Sequence, residues 1–235
     1  GLLSSRPALV GMLGLVLAGP ALAANAASAA SDAAPQKAVL VTGASTGIGR
    51  KITERLAADG YLVYAGARKD SDLAELDAIE NVEAVRLDVT NPAEIAAAVE
   101  TITKAGRGLY GLVNNAGVAI VGPLVDTKDE DFQWVMHVNV FGPYRVTKAF
   151  SPLIVASKGR ITTISSISGI LSAPNLGVYS MSKHAIEAFG DALAGEMEPL
   201  GVKVSLVEPG NYRSEIGKTA SERLGVKTAL ADRAK

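Results

Sequence analysis

Six short, largely apolar runs, each separated from the next by a longer stretch of helical spacing, decide what this chain can fold into. The runs cover residues 38–41, 61–65, 82–87, 109–113, 160–164 and 202–207. They lack the strict apolar–polar alternation of a sheet with one wet face, which points to strands buried on both sides. Between them the sequence predicts helices over 46–59, 71–79, 92–104, 128–150 and 175–200. Gly60 follows the first helix as a stop signal, and Asn91-Pro92 opens the third as a cap with proline in the first turn. Gly142-Pro143 is expected to bend the fourth. Strands alternating with helices give a parallel sheet covered on both faces, and right-handed crossovers make it an α/β, doubly wound fold of at least six strands. Ligands in such a fold sit at the carboxyl ends of the strands.

Composition narrows the chemistry. Apolar residues make up 48% and charged residues 20% of 235, with a net charge of −1, so the chain is globular and offers no electrostatic footprint for nucleic acid. There is no cysteine, which excludes disulfides, zinc–thiolate sites and cysteine nucleophiles. Two histidines, His137 and His184, are too few for a histidine-built metal site, so no metal is expected. The first 34 residues stand apart from the domain expected over 35–235. Arg6 is the single charge before Asp32, an apolar run covers 8–18, and Ala21 and Ala23 fit a small-residue cleavage site. A signal peptide cleaved after Ala23 is the first reading. An uncleaved membrane anchor is the second, and a mis-assigned gene start the third. The corresponding locations are exported, membrane-anchored, or cytoplasmic, and membrane contact is expected only through this segment.

Five groups of residues carry candidate chemistry, each at a strand end or on the helix that follows. Thr42-Gly43-Ala44-Ser45-Thr46-Gly47-Ile48-Gly49 closes the first strand and opens the first helix. Glycines there let the backbone approach a pyrophosphate, and the helix start offers free N–H groups. Tyr179 and Lys183 lie four apart and share a helix face. A tyrosine of ordinary pKa, about 10, is a poor acid–base at neutral pH. A nearby ammonium favours the phenolate and lowers that value, so the phenol can give a proton to a carbonyl oxygen, or take one in reverse. Ser166, thirteen residues before Tyr179, ends the fifth strand, where its hydroxyl can bond a substrate oxygen. Asn114-Asn115-Ala116-Gly117 ends the fourth strand with residues small enough for a flat ring to approach. Asn139 lies mid-helix, where asparagine is mildly unfavourable and a polar task is expected. Taken singly, each also has a plain structural reading: a strand–helix turn, a surface pair, a strand-end turn. Trp134, His137 and His184 read as ordinary helix residues.

In this order and spacing the set resembles the single-domain branch of the short-chain dehydrogenase/reductase family, from residue 37 to about residue 214. T-G-x-x-x-G-x-G, N-N-A-G, S-x(12)-Y-x-x-x-K and the Pro209-Gly210 pair all stand intact. The resemblance implies a Rossmann fold and an oxidoreductase that moves a hydride between nicotinamide and a carbonyl or alcohol. It implies Tyr179 as acid–base, and Lys183 as the group that lowers its pKa and holds the nicotinamide ribose. Ser166 would orient the substrate oxygen, and Asn139 would hold a water in a proton relay. It further implies Gly43, Ser45, Thr46, Gly47, Ile48 and Gly49 at the pyrophosphate, Asp88 and Val89 at the adenine, Asn115, Ala116 and Gly117 behind the cofactor, and Pro209 and Gly210 beside the nicotinamide. The acid that would select NAD(H) falls at Ala67 and is absent, while Arg68 and Lys69 follow, so NADP(H) is favoured with NAD(H) as the alternative. Asp70 and Asp72 weaken that positive field. Residues 64–69, 139–142 and 209–212 are loosely similar to retinol- and hydroxysteroid-dehydrogenase-like members, which suggests an apolar small-molecule substrate. The family's habit suggests a homo-oligomer formed through the long helices. Its usual last helix and seventh strand have no clear counterpart among the final 25 residues, so a chain truncated at its C-terminus is expected. The competing readings are a non-catalytic nucleotide-binding redox sensor and an inactive fragment of such an enzyme.

Overall fold

A computed structural model describes residues 36–210; the signal-like segment and the expected C-terminal truncation lie outside the described residues. The strands are β1 Ala38–Thr42, β2 Leu62–Ala67, β3 Val82–Arg86, β4 Gly111–Asn114, β5 Arg160–Ile164 and β6 Lys203–Val207. All pair in parallel, in the order β3-β2-β1-β4-β5-β6. Every residue of β1, β2 and β4 is buried, whereas of the strands outermost in this sheet β3 exposes Glu83 and Arg86 and β6 exposes alternate residues. The central runs thus cover two cores. Leu40, Tyr64, Leu112 and Ile161 face one with Ile102, Phe150 and Ile154. Val39, Val41, Val63 and Ala65 face the other with Ala57 and Leu76. Strand order reverses between β1 and β4, which opens a crevice at their carboxyl ends.

The helices are α1 Gly47–Ala58, α2 Asp70–Asp77, α3 Pro92–Lys104, α4 Asp129–Met136, α5 Gly142–Ala156 and α6 Gly177–Met197. The single helix expected over 128–150 is therefore α4 and α5 joined by a π-helical turn, His137–Phe141, and it continues to Ala156. The break precedes Gly142-Pro143 rather than sitting on it. The Gly142 N–H reaches back five residues to the His137 carbonyl, which accommodates one extra residue just before a proline that has no N–H to continue the ladder. Asn175, expected to start the last helix, adopts φ +66° and stands outside it. No helix among the described residues is long and apolar enough to cross a membrane.

The cap expected at α3 is present. Asn91 Oδ1 accepts from the Ala93 and Glu94 N–H groups at 3.0 and 3.5 Å, and Asn91 Nδ2 donates to Glu94 Oε1 at 3.1 Å. Asn91→Ala is expected to cost about 1 kcal/mol. At this chain length that is a fall in melting temperature of about 2–4 °C, to be read from thermal unfolding.

Candidate active site

The turn after β1 is built by close backbone approach. Gly43 has φ +64°, and a β-carbon on it would stand 2.9 Å from Ala116 Cα. One on Gly49 would stand 2.2 Å from the Gly43 carbonyl oxygen and 2.3 Å from Asn115 Nδ2. Thr42 and Asn115 stitch this turn to the end of β4. Thr42 Oγ1 accepts the N–H groups of Asn115 and Ala116, each at 3.0 Å. Asn115 Nδ2 donates to the Thr42 and Gly43 carbonyls at 2.9 and 3.0 Å. Thr46 gives α1 no side-chain cap, so the helix opens on the crevice with first-turn N–H groups uncapped by its own N-cap side chain. That is a cradle for an anion, and Ser45, Thr46, Gly47 and Ile48 line it.

A cleft of about 420 Å³ runs from this cradle along the strand ends. Arg68, Asp88 and Val89 line one end, and Asn115, Ala116, Gly117, Ser166, Tyr179, Lys183, Pro209 and Gly210 the other. Arg68 is exposed, with Nη1 3.9 Å from Asp88 Oδ2. Asp88 Oδ1 is held by the Thr90 N–H and hydroxyl at 2.8 and 2.7 Å, which fixes the carboxylate while the Arg68 side chain stays loosely tied. Trp134, His137 and His184 do not line the cleft; His137 stacks edge-on against Phe141, and His184 Nδ1 meets the Ser180 carbonyl.

Asn139, Ser166, Tyr179 and Lys183 come together where β5, the π turn and α6 meet. Ser166 caps the short 3₁₀ turn Ile167–Gly169, its Oγ accepting the Ser168 N–H at 3.1 Å. The Asn139 side chain is fully engaged: Oδ1 accepts the Val118 N–H at 2.8 Å, and Nδ2 donates to the Val118 carbonyl and to Ser182 Oγ at 2.8 and 3.0 Å. It thereby locks the segment after β4 to α6. Lys183 is 5% exposed, and its Nζ donates to the Ile164 carbonyl at 2.9 Å. Burial pulls its pKa down to about 8, with the Glu187 carboxylate acting in the other direction.

The phenol differs from expectation. Burial pushes the Tyr179 pKa up, and the Ser166 hydroxyl beside it pulls the other way. The expected depression by Lys183 is not seen, because Nζ turns to the Ile164 carbonyl and lies 5.7 Å from the centre of the Tyr179 ring. Three residues take supporting roles that the sequence did not assign them: Thr42, Ser182, and Asn114, whose Nδ2 donates to Thr147 and Thr163 at 2.9 and 3.4 Å. A threonine ending β1 and a serine beside Lys183 were the available signals, but each needs a distant strand or helix to show its use. Among the described residues no cluster of metal-ligating side chains occurs.

Residues 37–225 match the family model for short chain dehydrogenases. The mitochondrial D-beta-hydroxybutyrate dehydrogenase of Rattus norvegicus is 40% identical over 204 residues, covering 83% of this chain and 60% of the relative. Retinol dehydrogenase 5 of Mus musculus is 39% identical over 198 residues, covering 82% and 62%. The chain therefore spans about three fifths of the length of these relatives. A crystal structure of a short chain dehydrogenase/reductase from Burkholderia phymatum in complex with NAD superposes with a TM-score of 0.75 at 30% identity, over 82% of this chain and 71% of that one. ElxO with NADP bound gives a TM-score of 0.73 at 28% identity, over 82% and 80%.

Proposed function

The chain belongs to the short chain dehydrogenase family, and from that premise we propose that it is an NADP(H)-dependent oxidoreductase interconverting a carbonyl and an alcohol. The observation that carries the reading is the convergence of Ser166, Tyr179 and a buried Lys183 on the cleft that the glycine cradle also lines. The cradle fits a dinucleotide: backbone approaches that no β-carbon could share leave the turn bare, and the uncapped start of α1 suits a pyrophosphate. A nicotinamide bound along the cleft supplies or accepts the hydride. Ser166 directs its hydroxyl at the substrate oxygen and favours the phenolate, Tyr179 gives that oxygen a proton in reduction and removes one in oxidation, and Lys183 holds the nicotinamide ribose. Asn139 holds the wall behind them. A nucleotide sensor would have no use for a buried lysine one turn from a half-buried phenol.

The D-beta-hydroxybutyrate and retinol dehydrogenases among the relatives act on alcohols of different size, so the substrate class rests on the rim of the site. Val121 and Ile167 line the cleft and are half exposed, and Ile170 and Leu171, which soon follow Ile167 in the chain, are exposed. Such a rim favours an apolar alcohol or ketone. The reading is tested on the full-length gene product by NADPH and NADH oxidation against short-chain ketones, long-chain aldehydes and steroids. No turnover of any carbonyl, with the cofactor bound, would overturn it. The proposal includes self-association through α5 and α6, where Tyr144 and Met181 are exposed, and export or anchoring by residues 6–23.

Arg68 carries the preference for NADP(H). It directly follows Ala67, the last residue of β2, where no acid repels a 2′-phosphate, and a guanidinium can pair that phosphate bidentately. Ala67→Asp with Arg68→Ile is expected to shift the ratio of kcat/KM for NADPH over NADH by about tenfold toward NADH, the worth of one charge-assisted contact. A wild-type chain that prefers NADH, or an unchanged ratio, would remove Arg68 from the role.

A further inference from the structure

Glu187 follows Lys183 by four residues on α6, so the two side chains rise from the same face of that helix. Glu187 Oε1 is buried and has no hydrogen-bond partner, and the Ser165 hydroxyl at the end of β5 is buried without one as well. The two atoms converge on the 3₁₀ turn behind Ser166: a β-carbon built on Gly169 would stand 2.8 Å from Glu187 Oε1 and 2.9 Å from Ser165 Oγ. Glycine at that position leaves the carboxylate its room. A carboxylate oxygen enclosed without a hydrogen bond is costly unless an opposite charge offsets it. The buried cation nearby is Lys183, which faces a similar cost with a single carbonyl as its hydrogen-bond partner.

The other groups that face Lys183 are neutral or turned elsewhere. The π turn presents Asn139, which is committed to Val118 and Ser182. The segment after β4 presents the backbone at Gly117, and β5 presents the Ile164 carbonyl. On α6 itself, Tyr179 offers its ring and His184 is turned to the Ser180 carbonyl.

We propose that Glu187 is a positioning residue of this site, whose carboxylate, one helical turn behind Lys183, keeps the buried ammonium charged. Its consequence for catalysis rests on the oxidoreductase reading above, while the electrostatic coupling itself does not. The sign follows from the charges. Removing a negative charge beside an ammonium removes what favours the protonated form, so the lysine loses its proton at lower pH. With Glu187 in place Lys183 titrates at about 8. With a neutral side chain there, it is expected to titrate about one unit lower.

The test follows the Lys183 side-chain ¹⁵Nζ resonance through a pH titration of the cofactor-free chain, assigned by its loss in Lys183→Arg. Glu187→Gln is expected to lower the midpoint by about one unit, and Glu187→Asp to keep it near the wild-type value. In turnover, the alkaline limb of kcat should move down with the Gln variant and return with Asp. An unchanged Lys183 midpoint in a folded Glu187→Gln chain overturns the proposal. If that variant does not fold, Glu187→Ala takes its place in the same titration, and an unchanged Lys183 midpoint there overturns the proposal. A shifted midpoint in a chain that reduces no carbonyl leaves the coupling established and overturns the oxidoreductase reading instead.

Discussion

Tyr179→Phe is expected to keep cofactor binding and to lose about 10²–10⁴-fold in turnover, the usual worth of a general acid–base. The substitution removes one oxygen and leaves the ring. Tyr179 is largely enclosed, so a phenylalanine keeps its packing, and the neighbours that position the ring, α6 and the Ser166 turn, are untouched. What disappears is the proposed proton donor and acceptor for the substrate oxygen. The direction of the phenol's shift gives the test a second arm. Burial holds its pKa above the ordinary value, so at neutral pH it keeps its proton. That is the form carbonyl reduction needs, whereas alcohol oxidation needs the phenolate. Oxidation by the wild-type chain is therefore expected to rise with pH, and reduction to hold until the phenol ionises. Both dependences should vanish in the residual activity of Tyr179→Phe. The measurements are steady-state rates in both directions across pH, with cofactor affinity taken from nicotinamide fluorescence. Wild-type turnover in the variant would remove Tyr179 from the mechanism.

The sheet was readable because burial on both faces leaves a mark no other element shares: β1, β2 and β4 are apolar almost residue by residue and are fully buried. The candidate site was readable wherever its geometry is local. Glycine spacing fixes the turn after β1, and a separation of four fixes Tyr179 and Lys183 on one face. What local spacing does not carry is partner choice. Nothing in residues 128–150 marks the extra residue of the π turn, because the apolar period continues through it, and only Gly142-Pro143 hints at a discontinuity. An ammonium four residues from a phenol was expected to act on it, yet the Ile164 carbonyl, nineteen positions earlier in the chain, captures Nζ and burial then decides the sign at Tyr179. Thr42 looked like a strand end; its task appears only when β4 arrives 73 residues later. Nothing in the spacing of α6 marks Glu187, whose Oε1 is enclosed where the 3₁₀ turn after β5 packs against that helix.

Gly49→Ala is expected to cost about 1–3 kcal/mol of stability and, separately, about 10²-fold in kcat/KM with NADPH. Two effects compete at this position. Gly49 lies in the first turn of α1, where alanine would ordinarily be favoured by up to about 1 kcal/mol. Against it stands contact: the new methyl would meet the Gly43 carbonyl oxygen at 2.2 Å, the Gly43 carbonyl carbon at 3.0 Å and Asn115 Nδ2 at 2.3 Å. None of these is the loose end of a surface side chain. The oxygen and carbon belong to the turn itself, and Asn115 Nδ2 is the donor that ties Thr42 and Gly43 to β4. Relief requires the start of α1 to retreat by about 1 Å, toward the separation at which carbon and oxygen attract rather than repel. The helix start is the proposed seat of the pyrophosphate, and a shift of about 1 Å is enough to misplace what is bound there. Gly195→Ala, in α6 with nothing within 4 Å of the added carbon, isolates the propensity effect and is expected to be neutral or slightly stabilising. Thermal unfolding and NADPH kinetics on the two variants decide the matter. A Gly49→Ala chain as stable and as active as Gly195→Ala would show that the turn yields, and that the cradle is not shaped by this contact.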